Sequence, residues 1–446
     1  MLVNSWAKHS SGWLIFTVLF VSACESSWLG GREDPPLPGE RISILSLEQR
    51  LDPDPGLSGM VVRLPKPYVN RAWPQQGGYP SHAMHHLALG DSLVQLWRTD
   101  VGEGSGRTQR LINPPVVADG KLFVYDSESN VAAFDVLNGE RLWRVNLTPE
   151  HEEVGTLGGG LAYDEGRLFA TTGYGEVVAI DPSSGSILWH HKATGPVRAG
   201  PTAAGGRIFV VSLDNQLHVL AAEDGRLIWS HVGIEEPAAL LGAASPAVEG
   251  DLAIVPYSSG EVFALRVENG RVAWADSLST ASAATSTLAS LSDINGAPVI
   301  DRDRVLVISH SGRMISLDFR TGQQVWDQTI GGLETPWVAG NFIYVVTTEG
   351  ALLCLSRKDG RIRWVKELPR FTNTGSRSET ITWEGPVLAG DRLVLASSHG
   401  FAISVSPYTG ELLGVLELGA PVVAAPIIAN KVLYLLTDNA ELIALR

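Results

Sequence analysis

The chain has 446 residues and a formal net charge of −14, from 34 Lys and Arg against 48 Asp and Glu. That acidity argues against nucleic-acid binding, which depends on cations that neutralise phosphates. The length admits two or three ordinary domains, and the internal pattern has to decide between them.

The first residues read as an export signal. Lys8 supplies a weakly positive start, and Leu14-Ile-Phe-Thr-Val-Leu-Phe-Val is an apolar core far short of the roughly 20 residues that span a bilayer. It leads into Val21-Ser22-Ala23-Cys24, the pattern of a bacterial lipobox, which predicts a signal peptide over 1–23 and a lipidated Cys24. Stable anchoring needs more than one acyl chain, because a single chain holds a protein only marginally. Glu25 follows, an acidic residue of the kind that favours inner-membrane retention in some bacteria, and it leaves the choice of membrane open.

Residues 24–90 form the next predicted segment. Pro35, Pro36, Pro38, Pro53 and Pro55 mark an extended tether, and Trp73-Pro-Gln-Gln-Gly-Gly is read as dressing the outside of a blade. His82, His85 and His86 are the one histidine cluster. No acidic or Cys partner stands at ligand spacing, so no metal site is predicted there.

From residue 91 onward the chain repeats. Gly-x-x-x-Trp recurs at Gly139/Trp143, Gly185/Trp189, Gly225/Trp229, Gly270/Trp274, Gly322/Trp326 and Gly360/Trp364, with Gly410/Gly414 as a degenerate seventh copy. Counting from Trp97, successive marks lie 46, 46, 40, 45, 52, 38 and 50 residues apart. A period near 45 residues describes one structural unit that buries its face only by stacking on neighbours. Within the first copy, Pro115-Val-Val-Ala, Lys121-Leu-Phe-Val-Tyr, Val131-Ala-Ala-Phe and Glu140-Arg-Leu-Trp-Arg are four short β-rich runs separated by Gly, Asn, Asp and Ser turns. The fold class that follows is all-β, an eight-bladed β-propeller of four-stranded blades over 91–446. The last copy, through Glu441-Leu-Ile-Ala-Leu, lacks a fourth strand, and Ser92-Leu-Val-Gln-Leu-Trp-Arg is a fourth strand without the first three. Joining them closes the ring and removes two open sheet edges. The repeat Gly residues serve tight turns and the Trp residues pack blade on blade, so none counts as a site.

Neither a nucleophile elbow, a phosphate loop, a zinc pair nor a dinucleotide fingerprint occurs, and a non-enzyme is predicted. Cys354, in Leu352-Leu-Cys-Leu, reads as a buried small hydrophobe, with no disulfide expected. Length varies in the connections from the fourth strand of one blade to the first strand of the next, which emerge on one face. The longest are 276–297 and 366–385, and 232–245 is apolar for a loop, with Leu240 and Leu241 adjacent.

The lipobox, the eight Trp-repeat units and the run Leu291-Ser292-Asp293-Ile294-Asn295, followed by Pro298-Val299 and Ser316-Leu317-Asp318-x-x-x-Gly322-x-x-x-Trp326, resemble the BamB family. These are lipoprotein subunits of the outer-membrane β-barrel assembly machinery, with quinoprotein-type Trp repeats. The likeness covers most of 91–446. It implies a cofactor-free, non-catalytic scaffold at the periplasmic face of the outer membrane, bound to BamA, the barrel-inserting subunit, beside the other subunits. Unfolded outer-membrane protein clients are further implied partners. The family's contacts lie in two neighbouring loops. Leu240 and Leu241 match the first, one residue shorter and without its Arg; Asp293 matches the second, where Asn295 replaces an Asp. Two rival readings remain: a lipoprotein that binds an envelope polysaccharide or peptide across its funnel, and a quinoprotein dehydrogenase, whose commonly adjacent Cys pair this chain lacks.

Overall fold

The four β-rich runs of each repeat pair as antiparallel neighbours in a computed structural model that describes residues 51–107, 109–235, 244–278, 294–373 and 378–446. Eight four-stranded sheets result, each a blade of a β-propeller. Blade 1 holds Val116–Ala118, Lys121–Tyr125, Asn130–Asp135 and Arg141–Asn146. The first strands of successive blades pack against one another and form the inner ring, while the fourth strands lie outside. Burial follows that order. Lys121–Tyr125 and Asn130–Asp135 are buried almost throughout, whereas Arg141–Asn146 alternates exposed and half-buried residues. Middle strands covered by blades on both faces lose the period of two and become near-continuous apolar runs.

Ring closure occurs as the sequence predicts. Gln95–Asp100 pairs antiparallel with Glu441–Leu445 and supplies the fourth strand of blade 8. Among the described residues the one helical element is a three-residue 3-10 turn at Pro55–Leu57.

The repeat signature is an inter-blade lock. Each Trp lies on the turn glycine of the following blade: a Cβ at Gly322 would sit 2.6 Å from the Trp274 ring, and one at Gly139 2.8 Å from Trp97. Every such indole N–H also donates across the seam, as Trp274 Nε1 does to Phe319 O at 3.0 Å and Trp364 Nε1 to Pro407 O at 3.1 Å. The glycine meets two demands at once, a positive φ (71° at Gly322) and no side chain beneath the ring. The degenerate copy is explained by the same geometry. In blade 8 the third strand, 441–445, and the fourth, 95–100, are remote in sequence, so no turn joins them and no turn glycine exists. A Trp at position 414 would have nothing to cover, and Gly414 stands there with no atom near its missing Cβ.

One expectation is corrected. The segment around Trp73 does not dress the outside of a blade but runs around the inner ring. Trp73 exchanges backbone hydrogen bonds with Val117 of blade 1, and Tyr163 N of blade 2 donates to Pro74 O. Ala203 N of blade 3 donates to Gln75 Oε1 at 3.0 Å. Val248 N, of blade 4, reaches Pro80 O, and Ile300 N, of blade 5, reaches Ser81 O. Trp337 Nε1 of blade 6 donates to His85 O at 2.7 Å. Leu87 exchanges bonds with Leu388 and Gly390 of blade 7, and Asn430 N of blade 8 donates to Asn70 O. Residues 70–87 thus bind every blade along its first strand or at the turn that follows it, and they cover that mouth of the central channel. First strands would otherwise present unpaired N–H and C=O groups to the axis, a cost the segment removes.

Gly120 shares the φ of 71° but a Cβ there meets open space. Gly120→Ala is therefore expected to cost about 1 kcal/mol through backbone strain alone, and Gly322→Ala about 2–4 kcal/mol because Trp274 must also move. Denaturant titration of both variants checks this, and equal losses would remove the lock. Gly414→Trp should give no stabilisation in the same assay.

Candidate functional site

Turns between first and second strands are short throughout, and the elaboration lies at the other face, in the connections between blades. The connection 233–246 joins blades 3 and 4, and 278–298 joins blades 4 and 5, so two of the three loops singled out from sequence spring from neighbouring blades. The third of them, 366–385 between blades 6 and 7, carries a small hairpin of Phe371–Asn373 and Ser378–Thr380, which sequence reasoning missed. Leu240, Leu241, Asp293 and Cys24 lie outside the described residues. Asn295 is described: it is half-buried, engaged within the protein, and lines the central cavity rather than the outer rim. Just before the first loop, Val232 and Ile234 are 61% and 59% exposed.

The cavity has a volume of about 310 Å³. Its walls come from inter-blade connections (Asn113, Arg198, Asn295, Thr335) and from Glu384 at the start of the first strand of blade 7, and its floor from Trp73, Gln76, Gly77 and His82 of the inner segment. The channel is thus a funnel, closed at one mouth and open toward the face of the long connections. Trp73 stacks on Trp337 with ring centroids 6.3 Å apart and an interplanar angle of 21°.

Two glutamates dominate the funnel's electrostatics. Glu334 and Glu384 hydrogen-bond to each other, and Gly385 N donates to Glu334 Oε2 at 3.2 Å. Protein surrounds both, although each keeps partial solvent access through the cavity. Burial raises the Glu334 carboxyl to about 7. Burial, and then the charge of Glu334, raises Glu384 well above the carboxylate range. Two carboxyls in contact in a low-dielectric site share a proton because both cannot ionise cheaply.

The histidine cluster separates into three structural roles. His82 Nδ1 lies 2.7 Å from Pro298 O, and burial depresses the imidazole to about 4. His86 Nδ1 meets Pro65 O at 2.8 Å while its Nε2 accepts from Asp391 N at 3.1 Å. His85 Nε2 stands 3.8 Å from Asp301 Oδ1. No group of three or more His, Cys, Asp or Glu placed to hold a metal occurs among the described residues. Cys354 is fully buried opposite Tyr344, and burial pushes its thiol up, which leaves it unreactive.

Trp-on-Gly locks, an eighth blade closed by an N-terminal strand and a lateral face of variable connections define a quinoprotein-type β-propeller. A family model described as outer membrane protein assembly factor BamB matches residues 94–155 and 127–366, and the chain belongs to that family. Among relatives, the outer membrane protein assembly factor BamB of Shewanella oneidensis is 23% identical over 354 residues, 78% of this chain and 87% of that one. BamB of Bordetella pertussis is 25% identical over 371 residues, covering 82% and 90%. Among solved structures, BamB from Moraxella catarrhalis superposes with a TM-score of 0.68 at 15% identity, over 80% of this chain and all of that one. A europium-containing methanol dehydrogenase gives 0.65 at 15% identity, over 82% and 89%. At such identities these likenesses establish the fold.

The titrating groups set the pH profile of stability. The folded state holds protons on the glutamate pair that the unfolded chain releases above pH 4.5, so stability falls as pH rises from there through about 7. His82, held neutral, acts on the acid side: its contribution is present above pH 6.5 and is lost as pH falls toward about 4. Glu384→Gln should flatten the alkaline limb and raise stability at pH 8 more than at pH 5.5, measured by urea titration at the two pH values. An unchanged slope would mean that the pair is ionised in the folded state.

Proposed function

We propose that the protein is a lipid-anchored, non-catalytic scaffold at the periplasmic face of the outer membrane, and that it docks on the insertase BamA through the face that carries the connections 233–246 and 278–298. Membership of the BamB family carries this reading. The geometry supports it in two ways: those connections spring from adjacent blades, and the exposed Val232 and Ile234 lead directly into the first of them. Exposed apolar side chains grouped beside a long connection on a rigid scaffold suit a protein-protein contact. In this reading Leu240, Leu241 and Asp293 make the contact. Asn295 acts indirectly, from the cavity wall.

The mechanism is positional. Lipid on Cys24 and the following tether confine the propeller near the membrane and raise its effective concentration around the insertase. The closed ring then presents its outer strands to unfolded clients. Leu412–Glu417, the blade 7 strand that carries Gly414 instead of Trp, is exposed along its whole length, with Leu413 and Val415 at 57% and 58%. An apolar strand with a free edge is a template for β-augmentation.

Photo-crosslinkers at Leu240 and Asp293 in native cells should capture BamA, while one at Glu165, in an exposed turn of the opposite face, should not. Well-folded protein without a BamA adduct at either position would sink the docking reading and favour an envelope ligand. For the augmentation step, Val415→Lys is expected to slow barrel assembly with no change in Tm; an unchanged assembly rate argues against it.

A further inference from the structure

The funnel has chemistry that docking at its rim does not use. Its wall gathers hydrogen-bond acceptors. Glu334 and Glu384 stand side by side, one from the connection into blade 6 and the other from the start of the first strand of blade 7. His82, 3% exposed, lines the same cavity. Pro298 O can only accept, so His82 Nδ1 carries the ring proton and Nε2 bears a lone pair. Among the described residues nothing donates to that Nε2. A buried acceptor without a donor is costly unless a ligand supplies one. Opposite charge is sparse: Arg198 lines the cavity but is engaged within the protein, and His82 is neutral. The stacked rings of Trp73 and Trp337 add an aromatic wall.

We propose that the funnel binds a small ligand through a primary ammonium group, which sits at the Glu334–Glu384 pair while its alkyl stem lies against Trp73 and Trp337. An ammonium brings three N–H donors to the carboxylate pair and the His82 acceptor, and an alkyl stem laid on the indole faces is removed from water. A divalent metal fits less well, because among the described residues no third carboxylate, His or Cys joins the pair as a metal-holding group. The cavity, at about 310 Å³, accommodates a chain of several carbons and excludes a folded polypeptide. Ammonium binding and proton release are one linked event, so affinity rises with pH while the amine stays charged. This inference is independent of docking on BamA.

The test is calorimetric titration of cadaverine into the full-length protein in detergent, at pH 6 and pH 8, in two buffers of different ionisation enthalpy. Binding about tenfold tighter at pH 8, with close to one proton released, is the expected result. 1-Pentanol, which keeps the stem and lacks the ammonium, should not bind. Glu334→Gln/Glu384→Gln, with its Tm checked first, should lose cadaverine binding. N-acetyl-lysine amide in the same assay separates a lysine side chain from a free amine as the natural source. No cadaverine binding at 10-millimolar concentration would overturn the proposal. So would equal binding of 1-pentanol, or affinity that does not change with pH. The last two readouts require no variant, so misfolding of the double variant leaves the proposal open to refutation.

Discussion

The architecture depends on one contact repeated around the ring, an indole laid on the turn glycine of the next blade and hydrogen-bonded across the seam. Blades are thin sheets that cannot bury both faces alone, so each seam must be specific as well as apolar. Apolar packing by itself would permit neighbouring blades to slide. The indole N–H, tied to a backbone carbonyl such as Val136 O at 3.1 Å or Arg357 O at 3.0 Å, fixes one relative position. At the seam between blades 5 and 6 a buried ion pair adds to it: Arg357 Nε meets Asp301 Oδ2 at 2.6 Å, and the same arginine reaches Asp303 Oδ1 at 2.8 Å. Arg302 Nη2 also meets Asp301 Oδ2 at 2.9 Å, so the pair belongs to a charged network, and removing Arg357 would take from the buried Asp301 its partner across the seam.

The lock accounts for what could be read from the sequence and what could not. Gly-x-x-x-Trp is legible because one geometry demands both residues at every seam, which writes a period into the chain. Even its failure at Gly414 is legible afterwards, since the seam it faces contains the junction of strands from opposite ends of the propeller. The inner segment left no such mark. Residues 70–87 meet eight different blades through contacts that are mostly backbone to backbone, and backbone hydrogen bonds impose no side-chain pattern. A Pro- and Gly-rich composition reads equally as tether or as lining, and only the three-dimensional path separates the two.

The candidate sites divide along the same line. Asp293 and Asn295 were found through a local run of residues, and the structure sends Asn295 inward, to the funnel, rather than to the rim. Glu334 and Glu384 were missed. They lie fifty residues apart, Glu334 in a connection and Glu384 at the start of a strand, and become neighbours only because adjacent blades bring both places to the axis. Each lies before the first strand of its blade (Trp337–Ala339) or within its start (Trp383–Ala389), where a lone acidic residue looks like ordinary solvated turn chemistry. The one available signal was positional: equivalent places in consecutive repeats both carrying Glu at the inner ring.

Covering one mouth of the channel has a physical consequence for everything at the other. An open channel would flood the glutamate pair with solvent from both sides and leave the carboxyls near their ordinary range. With residues 70–87 across one end, the pair is surrounded by protein and reached from one direction, which is the condition for a raised carboxyl that still exchanges with solvent. His82 belongs to that same segment and is held by Pro298 O, so the closure and the acceptor-rich wall come from one piece of chain. The segment that seals the ring therefore also builds the funnel's chemistry. A propeller of the same blades without it would keep its outer face and its rim, and would lose the floor of this polar site.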